Sequence, residues 1–192
     1  MIPAVAAGDD APILPFASRR EWAAWLDANH AAEDAVWLKF AKKGSGVPTV
    51  GYDDAVEVAL CYGWIDGLVR RFDDDFYLQR FTPRRKRSKW SKINREKALR
   101  LIESGEMRPA GLAEIERAQA DGRWDEAYDS PSTMKVPEDL QTALDAAGAA
   151  AAFAALPSQD RYAALYRLHD AKRPETRAKR IAEILARVAE AR

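Results

Sequence analysis

The N-terminal third of the chain alternates between helix-type and strand-type patterns of apolar residues. Trp22, Trp25 and Leu26 recur at the i, i+3, i+4 spacing of an amphipathic helix, and Ser18 stands where an N-cap is needed. The β-branched and aromatic run at 36–40 is typical of a strand. The pattern therefore predicts a helix followed by a strand.

A second helix and a hairpin come next. Asp53 and Asp54 suit the positive end of a helix that we expect to stop at Gly63. Two strand-like runs, 64–72 and 76–81, flank three consecutive aspartates whose like charges keep a turn solvated. This arrangement predicts an antiparallel β-hairpin.

From about residue 90 onward the pattern is helical. Pro174 suits the first turn of the last helix, in which Ile181, Ile184 and Val188 recur at helical spacing. The whole pattern predicts a helix-rich α+β fold. It has a small, mainly antiparallel sheet with helices in the N-terminal part, and an all-helical C-terminal part.

The domain organisation follows from the same patterns. We predict a loose N-terminal arm at 1–14, an α+β domain at 15–125, and a helical C-terminal segment or small domain at 136–192. The polar, proline-containing stretch between the last two is typical of a linker. Whether the helical part is a separate domain stays open at this point.

Composition excludes several classes of protein. The chain has thirty basic and thirty acidic residues, so attraction of the whole molecule to nucleic acid or anionic lipid is not predicted. Its one cysteine, Cys61, excludes an intramolecular disulfide, and with two histidines it provides too few ligands for a Cys/His zinc site. Phosphate-loop, dinucleotide and nucleophile-elbow motifs are absent, so we expect no cofactor and no catalytic residues.

No segment approaches the roughly 20 apolar residues of a membrane-spanning helix. The first residues lack the basic and apolar stretches of a signal peptide. We therefore expect a cytoplasmic protein with no membrane insertion.

Candidate chemistry concentrates in a basic segment. Nine Lys or Arg residues and a single acid lie between Arg84 and Arg100. Arginine matches phosphate and carboxylate oxygens, and tryptophan can stack on a base or ring. We predict an anion-binding site in the groove between the 64–82 hairpin and the 84–95 segment. The predicted binding residues are Trp64, Asp66, Arg84, Lys89, Trp90, Ser91 and Asn94.

Each type of side chain has a role in this site. The cations attract the anion, the two tryptophans form stacking walls, and Ser91 and Asn94 supply directional hydrogen bonds. Asp66 orients an arginine. The alternative is structural: a basic loop before a helix is often a solvated face, and tryptophans often anchor a hairpin to a helix.

Several blocks of residues resemble a known family. They are GWIDG (63–67), FTPRRKRSKWSKIN (81–94), GEM (105–107) with Gly111, GRW (122–124) and AKRPETRAKRI (171–181). Through these blocks most of the chain resembles the bacteriocin-protection family, also called YdeI/OmpD-associated. The resemblance implies a bacterial protein that gives resistance to bacteriocins or cationic antimicrobial peptides, and the family name suggests association with an outer-membrane porin. It implies no catalytic residue.

The sequence thus predicts a non-enzymatic binding or stress-protection protein, whose partner is an anionic small molecule or a protein such as the porin. Direct capture of cationic peptides would need an acidic face, so regulation or partnership fits better. Two alternatives stay open. One is a nucleic-acid-binding module, which zero net charge disfavours, and the other is an enzyme on an anionic small molecule with Asp66 as base.

Overall fold

The computed structural model describes residues 11–190, which divide into two units. The N-terminal unit comprises residues 11–90 and 94–126, and the C-terminal unit comprises residues 91–93 and 127–190. The helices and strands are β1 (Ile13–Pro15), α1 (Arg19–Asn29), β2 (Val36–Ala41), α2 (Tyr52–Cys61), β3 (Trp64–Arg71), β4 (Phe76–Pro83), α3 (Lys92–Glu103), α4 (Pro109–Ala120), α5 (Glu138–Ala146), α6 (Ala150–Ala155), α7 (Ser158–His169) and α8 (Pro174–Glu190).

The predicted helix-rich α+β class is confirmed. The four strands form one sheet in the order β1-β2-β4-β3. Strand β1 runs parallel to β2, and the remaining pairs are antiparallel, as the hairpin signal predicted for β3 and β4. At the hairpin turn, the Asp73 carboxylate accepts the backbone N–H groups of Asp75 and Phe76 at 2.9 and 2.7 Å. The aspartates therefore shape the turn as well as keeping it solvated.

The start of the sheet falls partly within the predicted arm. Most of the arm lies outside the described residues, but Ile13 and Leu14 pair with Trp37 and Leu38. The first strand therefore begins before residue 15, where we expected the α+β domain to start.

One face of the sheet carries the aromatic core of the N-terminal unit. The rings of Trp22 and Phe81 meet edge-on with their centroids 5.6 Å apart. The indole N–H of Trp22 donates to the backbone oxygen of Ala55 at 3.0 Å, which links α1 to α2. Trp22 is fully buried and its one polar group is satisfied, so helices α1 and α2 are held on this face.

Helices α2 and α4 approach closely because Gly111 has no side chain. A Cβ atom there would lie 2.5 Å from the backbone oxygen of Cys61 and 2.6 Å from that of Leu60. Cys61 is buried at this contact, and burial raises the pKa of its thiol to about 11. The thiol is therefore protonated at neutral pH and serves as a small core residue.

The C-terminal unit has its own apolar core. Its buried members come from α5 to α8 and the chain between them, and they are Leu140, Leu144, Ala149, Phe153, Leu165, Leu168, Ile184 and Val188. The stripe predicted on the last helix is confirmed, since Ile184 and Val188 are buried and Ile181 packs against them. This core lies entirely within one unit, so burial inside the C-terminal unit holds these helices together.

We expect Gly111→Ala to lower the free energy of unfolding by about 2–3 kcal/mol, because the new methyl group would overlap backbone atoms that cannot move independently. The matched control is Gly51→Ala, where the methyl group would meet only the Asp54 carboxylate at 3.6 Å. We expect a loss of about 1 kcal/mol or less for the control. Urea unfolding followed by circular dichroism measures both values, and equal losses would contradict the close helix contact.

Candidate functional site

Arg84, predicted to face an anion, is buried in the N-terminal unit with an exposed fraction of 5%. Its guanidinium carbon lies 3.6 Å from the centroid of the Trp90 ring. One guanidinium nitrogen also donates to the backbone oxygen of Lys89 at 3.2 Å. Arg84 therefore folds the basic segment onto itself through a buried cation–π contact.

The two tryptophans predicted as stacking walls belong to the core. Trp64 and Trp90 have exposed fractions of 1% and 2%. The Trp64 indole donates to the backbone oxygen of His30 at 3.2 Å, and the Trp90 ring lies edge-on to Trp124 at 4.8 Å. Neither ring offers a free face to a ligand in this structure, so the stacking role does not fit these positions.

The remaining predicted residues do not all belong to the same unit. Asp66 accepts a hydrogen bond from the Tyr52 hydroxyl at 2.7 Å, rather than orienting an arginine. Burial, together with this carboxylate, raises the pKa of Tyr52. Lys89 is exposed, and Asn94 is half-buried in the first turn of α3. Ser91 lies in the C-terminal unit, where it forms a β-bridge with Tyr128.

The basic segment nevertheless presents cations to solvent. Arg85, Lys86 and Arg87 are exposed in a turn closed by the Ser88 hydroxyl, which accepts the N–H of Arg85 at 2.8 Å. Arg123 donates to the backbone oxygen of Ser88 at 2.6 Å and fastens the turn to the N-terminal unit. The structural interpretation fits Arg84 and Trp90, whereas binding by the exposed turn stays a prediction.

The C-terminal unit contains an open cleft of about 640 Å³. It lies between the start of α5, the end of α7 and the start of α8. Lys92 of the basic segment belongs to this unit and also lines the cleft. The lining residues are Lys92, Asp129, Thr133, Met134, Lys135, Pro137, Leu165, His169, Ala171, Lys172 and Arg177. Four of these are lysine or arginine and only Asp129 is acidic, so the lining is cationic.

Two ion pairs hold cations at the edge of the cleft. The Lys92 ammonium lies 2.8 Å from the Asp129 carboxylate. Arg177 donates to both oxygens of Asp139, one of them at 2.9 Å, and to the backbone oxygen of Leu168 at 3.0 Å. The Arg177 guanidinium lowers the pKa of Asp139. These bonds orient the two side chains before any ligand arrives.

Apolar side chains and one histidine also line the cleft. Met134, Pro137, Leu165 and Ala171 supply apolar surface. His169 is half-buried at the end of α7. Such a lining, apolar with a few charged groups, is typical of small-molecule sites. It can bind an anion through its cations and exclude water through its apolar side chains.

Sequence reasoning missed most of this cleft. Only Lys92 of the lining residues falls inside the basic segment. The signal that was present is the density of basic residues from Arg167 to Arg180 together with Lys135. It was ambiguous, because arginines on a terminal helix usually form intrahelical pairs.

Comparison with family models divides the chain in a similar way. Residues 14–114 match the model described as Domain of unknown function (DUF8412), and residues 133–191 match the model described as Bacteriocin-protection, YdeI or OmpD-Associated. The chain belongs to the DUF8412 family, and its C-terminal part resembles the bacteriocin-protection family. No curated protein and no solved structure matches the chain.

The suspected bacteriocin-protection family is thereby confirmed for the C-terminal part. The block at 171–181 lies within that match, whereas the blocks at 63–67 and 81–94 lie within the DUF8412 match. Residues 133–191, which match the bacteriocin-protection model, supply nine of the eleven residues that line the cleft.

The described part of the chain contains neither a group of potential metal ligands nor a helix suited to a membrane. Between residues 11 and 190, no group of three or more His, Cys, Asp or Glu side chains is placed to hold a metal ion. Over the same residues, no helix combines the length and apolar character that crossing a membrane requires.

We expect Trp90→Ala to destabilise the N-terminal unit by about 3–5 kcal/mol, because it removes a buried ring that contacts both Arg84 and Trp124. Lys89→Ala, one position away and exposed, is the control and should cost less than about 1 kcal/mol. Urea unfolding gives both values. A Trp90→Ala protein as stable as the control would place this ring outside the core.

The Asp139–Arg177 pair should make stability depend on pH. Because Arg177 lowers the pKa of folded Asp139 below its ordinary value of 3.8, the pair stabilises the fold above pH 3.8. That contribution is lost as the pH falls through the folded pKa. We expect the difference in unfolding free energy between the unmodified protein and Asp139→Asn to be largest near pH 6 and to shrink below 3.8.

Both side chains are partly exposed, so the expected difference is small, about 1 kcal/mol or less. Urea unfolding between pH 6 and pH 3 measures it. Gln141→Ala is a suitable control, because it removes an exposed hydrogen bond to Asp145 on the same helix without removing a charge. A pH-independent difference for Asp139→Asn would contradict the assignment.

Proposed function

We propose that this protein is a non-enzymatic binding protein whose bacteriocin-protection domain takes an anionic ligand in the C-terminal cleft. The observation that supports this most directly is the lining itself, with four lysine or arginine side chains against one aspartate in a concave space of about 640 Å³. Concave, partly apolar spaces with a few charged groups are the usual sites for small ligands.

The cations in this cleft differ in how exposed they are to solvent. Lys92 and Arg177 are already paired with Asp129 and Asp139, which holds their side chains in position. Lys135 and Lys172 are exposed at the same cleft. A carboxylate or phosphate group would gain charge-assisted hydrogen bonds to these exposed lysines.

The positive charge of the cleft restricts the mechanism of protection. A cationic lining repels cationic peptides, so we propose that protection does not act through their capture in this cleft. Binding an anionic small molecule, and through it controlling a partner, fits the charge better. The family name refers to association with OmpD, and for this chain such an association is the alternative proposal.

The two histidines make a direct test available, since His30 lies in the N-terminal unit and His169 lines the cleft. We expect the NMR signals of His169 in ¹³C-labelled protein to shift saturably as inorganic phosphate, citrate or a nucleotide is added, while those of His30 stay in place. The double variant Lys135→Gln with Lys172→Gln should bind roughly tenfold more weakly.

The matched control is Lys179→Gln, an exposed lysine of α8 that does not line the cleft, and it should bind as the unmodified protein does. Stationary His169 signals with every anion would refute the proposal. Equal shifts of His30, or equal loss in the control, would do the same. Co-purification with a porin that survives the double variant would favour the alternative.

A further inference from the structure

Strand β3 forms one edge of the sheet, and the middle of this strand is apolar and exposed. The order β1-β2-β4-β3 gives β3 a single neighbour among the strands of the described residues. Leu68 and Val69 each have an exposed fraction of 62%, the highest among the large apolar side chains that the structure describes. Such an edge can pair with another strand, because it presents backbone donors and acceptors beside apolar side chains.

Hydrogen bonds at the two ends of the β3–β4 hairpin show which backbone groups of β3 point outward. The Gly63 oxygen accepts the N–H of Arg84 at 2.8 Å, and the Phe72 N–H donates to the Phe76 oxygen at 3.3 Å. Along an antiparallel strand, residues that bond the neighbour alternate with residues whose backbone groups point away from it. Counting from each end, the residues of the exposed stretch that point away from β4 are Asp66, Val69 and Arg71.

The charges on this edge are complementary to those of a second copy. A second β3 can lie antiparallel beside the first, with the two-fold axis between Leu68 and Val69. Asp66 then lies opposite the partner's Arg71, and symmetry forms this pair of opposite charges twice. An axis centred on Arg70 or on Arg71 would instead set like charges opposite each other, which is unfavourable.

The two charged side chains also lie on the same face of the sheet. Asp66 is in register with Phe81 and Arg71 with Tyr77, and residues four apart on β4 share a face. Residues opposite each other in an antiparallel pair project to the same side, so carboxylate and guanidinium can meet across the axis. The Tyr52 hydroxyl donates to one oxygen of Asp66 at 2.7 Å and holds this carboxylate in place.

We propose that β3 pairs antiparallel with β3 of a second copy of this chain and joins two four-stranded sheets into one continuous sheet. The apolar pair at the middle of the strand is then covered, and the outward backbone groups gain partners. Within one chain Arg71 binds Asp74, and the side-chain exposed fractions are 75% and 91%. Ion pairs this exposed contribute little, so Arg71 can exchange this partner for the carboxylate that faces it in the dimer.

The test is sedimentation velocity of the whole chain over a wide range of protein concentration, where we expect a monomer–dimer equilibrium. Asp66→Lys and Arg71→Glu each set like charges opposite each other at two symmetric positions. Each variant alone should therefore dimerise at least about tenfold more weakly. An equimolar mixture of the two should dimerise about as tightly as the unmodified protein, because the two reversed charges then face each other.

Arg85→Glu is the matched control, because it reverses an exposed charge in a turn of the same unit outside β3. This control should dimerise as the unmodified protein does, and circular dichroism checks that each variant is folded. Amide hydrogen exchange followed by NMR gives a second readout. We expect the outward amide hydrogens of Val69 and Arg71 to exchange more slowly at concentrations where the dimer forms.

Several outcomes would overturn the proposal. A protein that is monomeric at every concentration would leave this edge to a strand of a different protein. A mixture that stays as dissociated as its two components would refute the pairing of Asp66 with Arg71, and equal loss in the control would refute the position of the interface. The proposal is independent of the cleft, because the Lys135→Gln and Lys172→Gln double variant should dimerise as the unmodified protein does.

Discussion

Arg84 stacks on Trp90 inside the N-terminal unit, and the course of the basic segment depends on this contact. A buried guanidinium loses its hydration, so it needs both a ring face and backbone acceptors such as the Lys89 oxygen. With Arg84 held inward, the three residues that follow are turned out to solvent. The chain then continues to Lys92, which reaches the cleft of the C-terminal unit.

Charge is balanced over the chain but not over its surfaces. The cleft gathers four lysines and arginines around Asp129. Other charges are matched, as where Arg19 binds the carboxylates of Asp54, Glu57 and Glu106. A zero net charge therefore says little about whether an anion binds locally.

The two family matches fit this distribution. The cleft falls mainly within the bacteriocin-protection match at 133–191, whereas the buried Arg84–Trp90 contact falls within the DUF8412 match at 14–114. A concave cleft of this kind suits a small molecule.

Local patterns were sufficient for most elements of the fold. The spacing of Trp22, Trp25 and Leu26 identified α1, the aspartates at the tip identified the β3–β4 hairpin, and the stripe ending at Val188 identified α8. These signals work because helix and strand periods, caps and turns depend on residues a few positions apart.

The residues that form the sites could not be predicted from local patterns. An aromatic residue in a basic run indicates that its ring makes a contact, but the sequence does not identify the partner. Only tertiary packing places Trp90 against Arg84 and Trp124. The cleft joins residues from 92 to 177, which are far apart in the sequence. By itself the sequence determined the helices, the hairpin and the family of the C-terminal part. Tertiary structure decided which cations share a surface, because contacts between distant residues leave no local pattern.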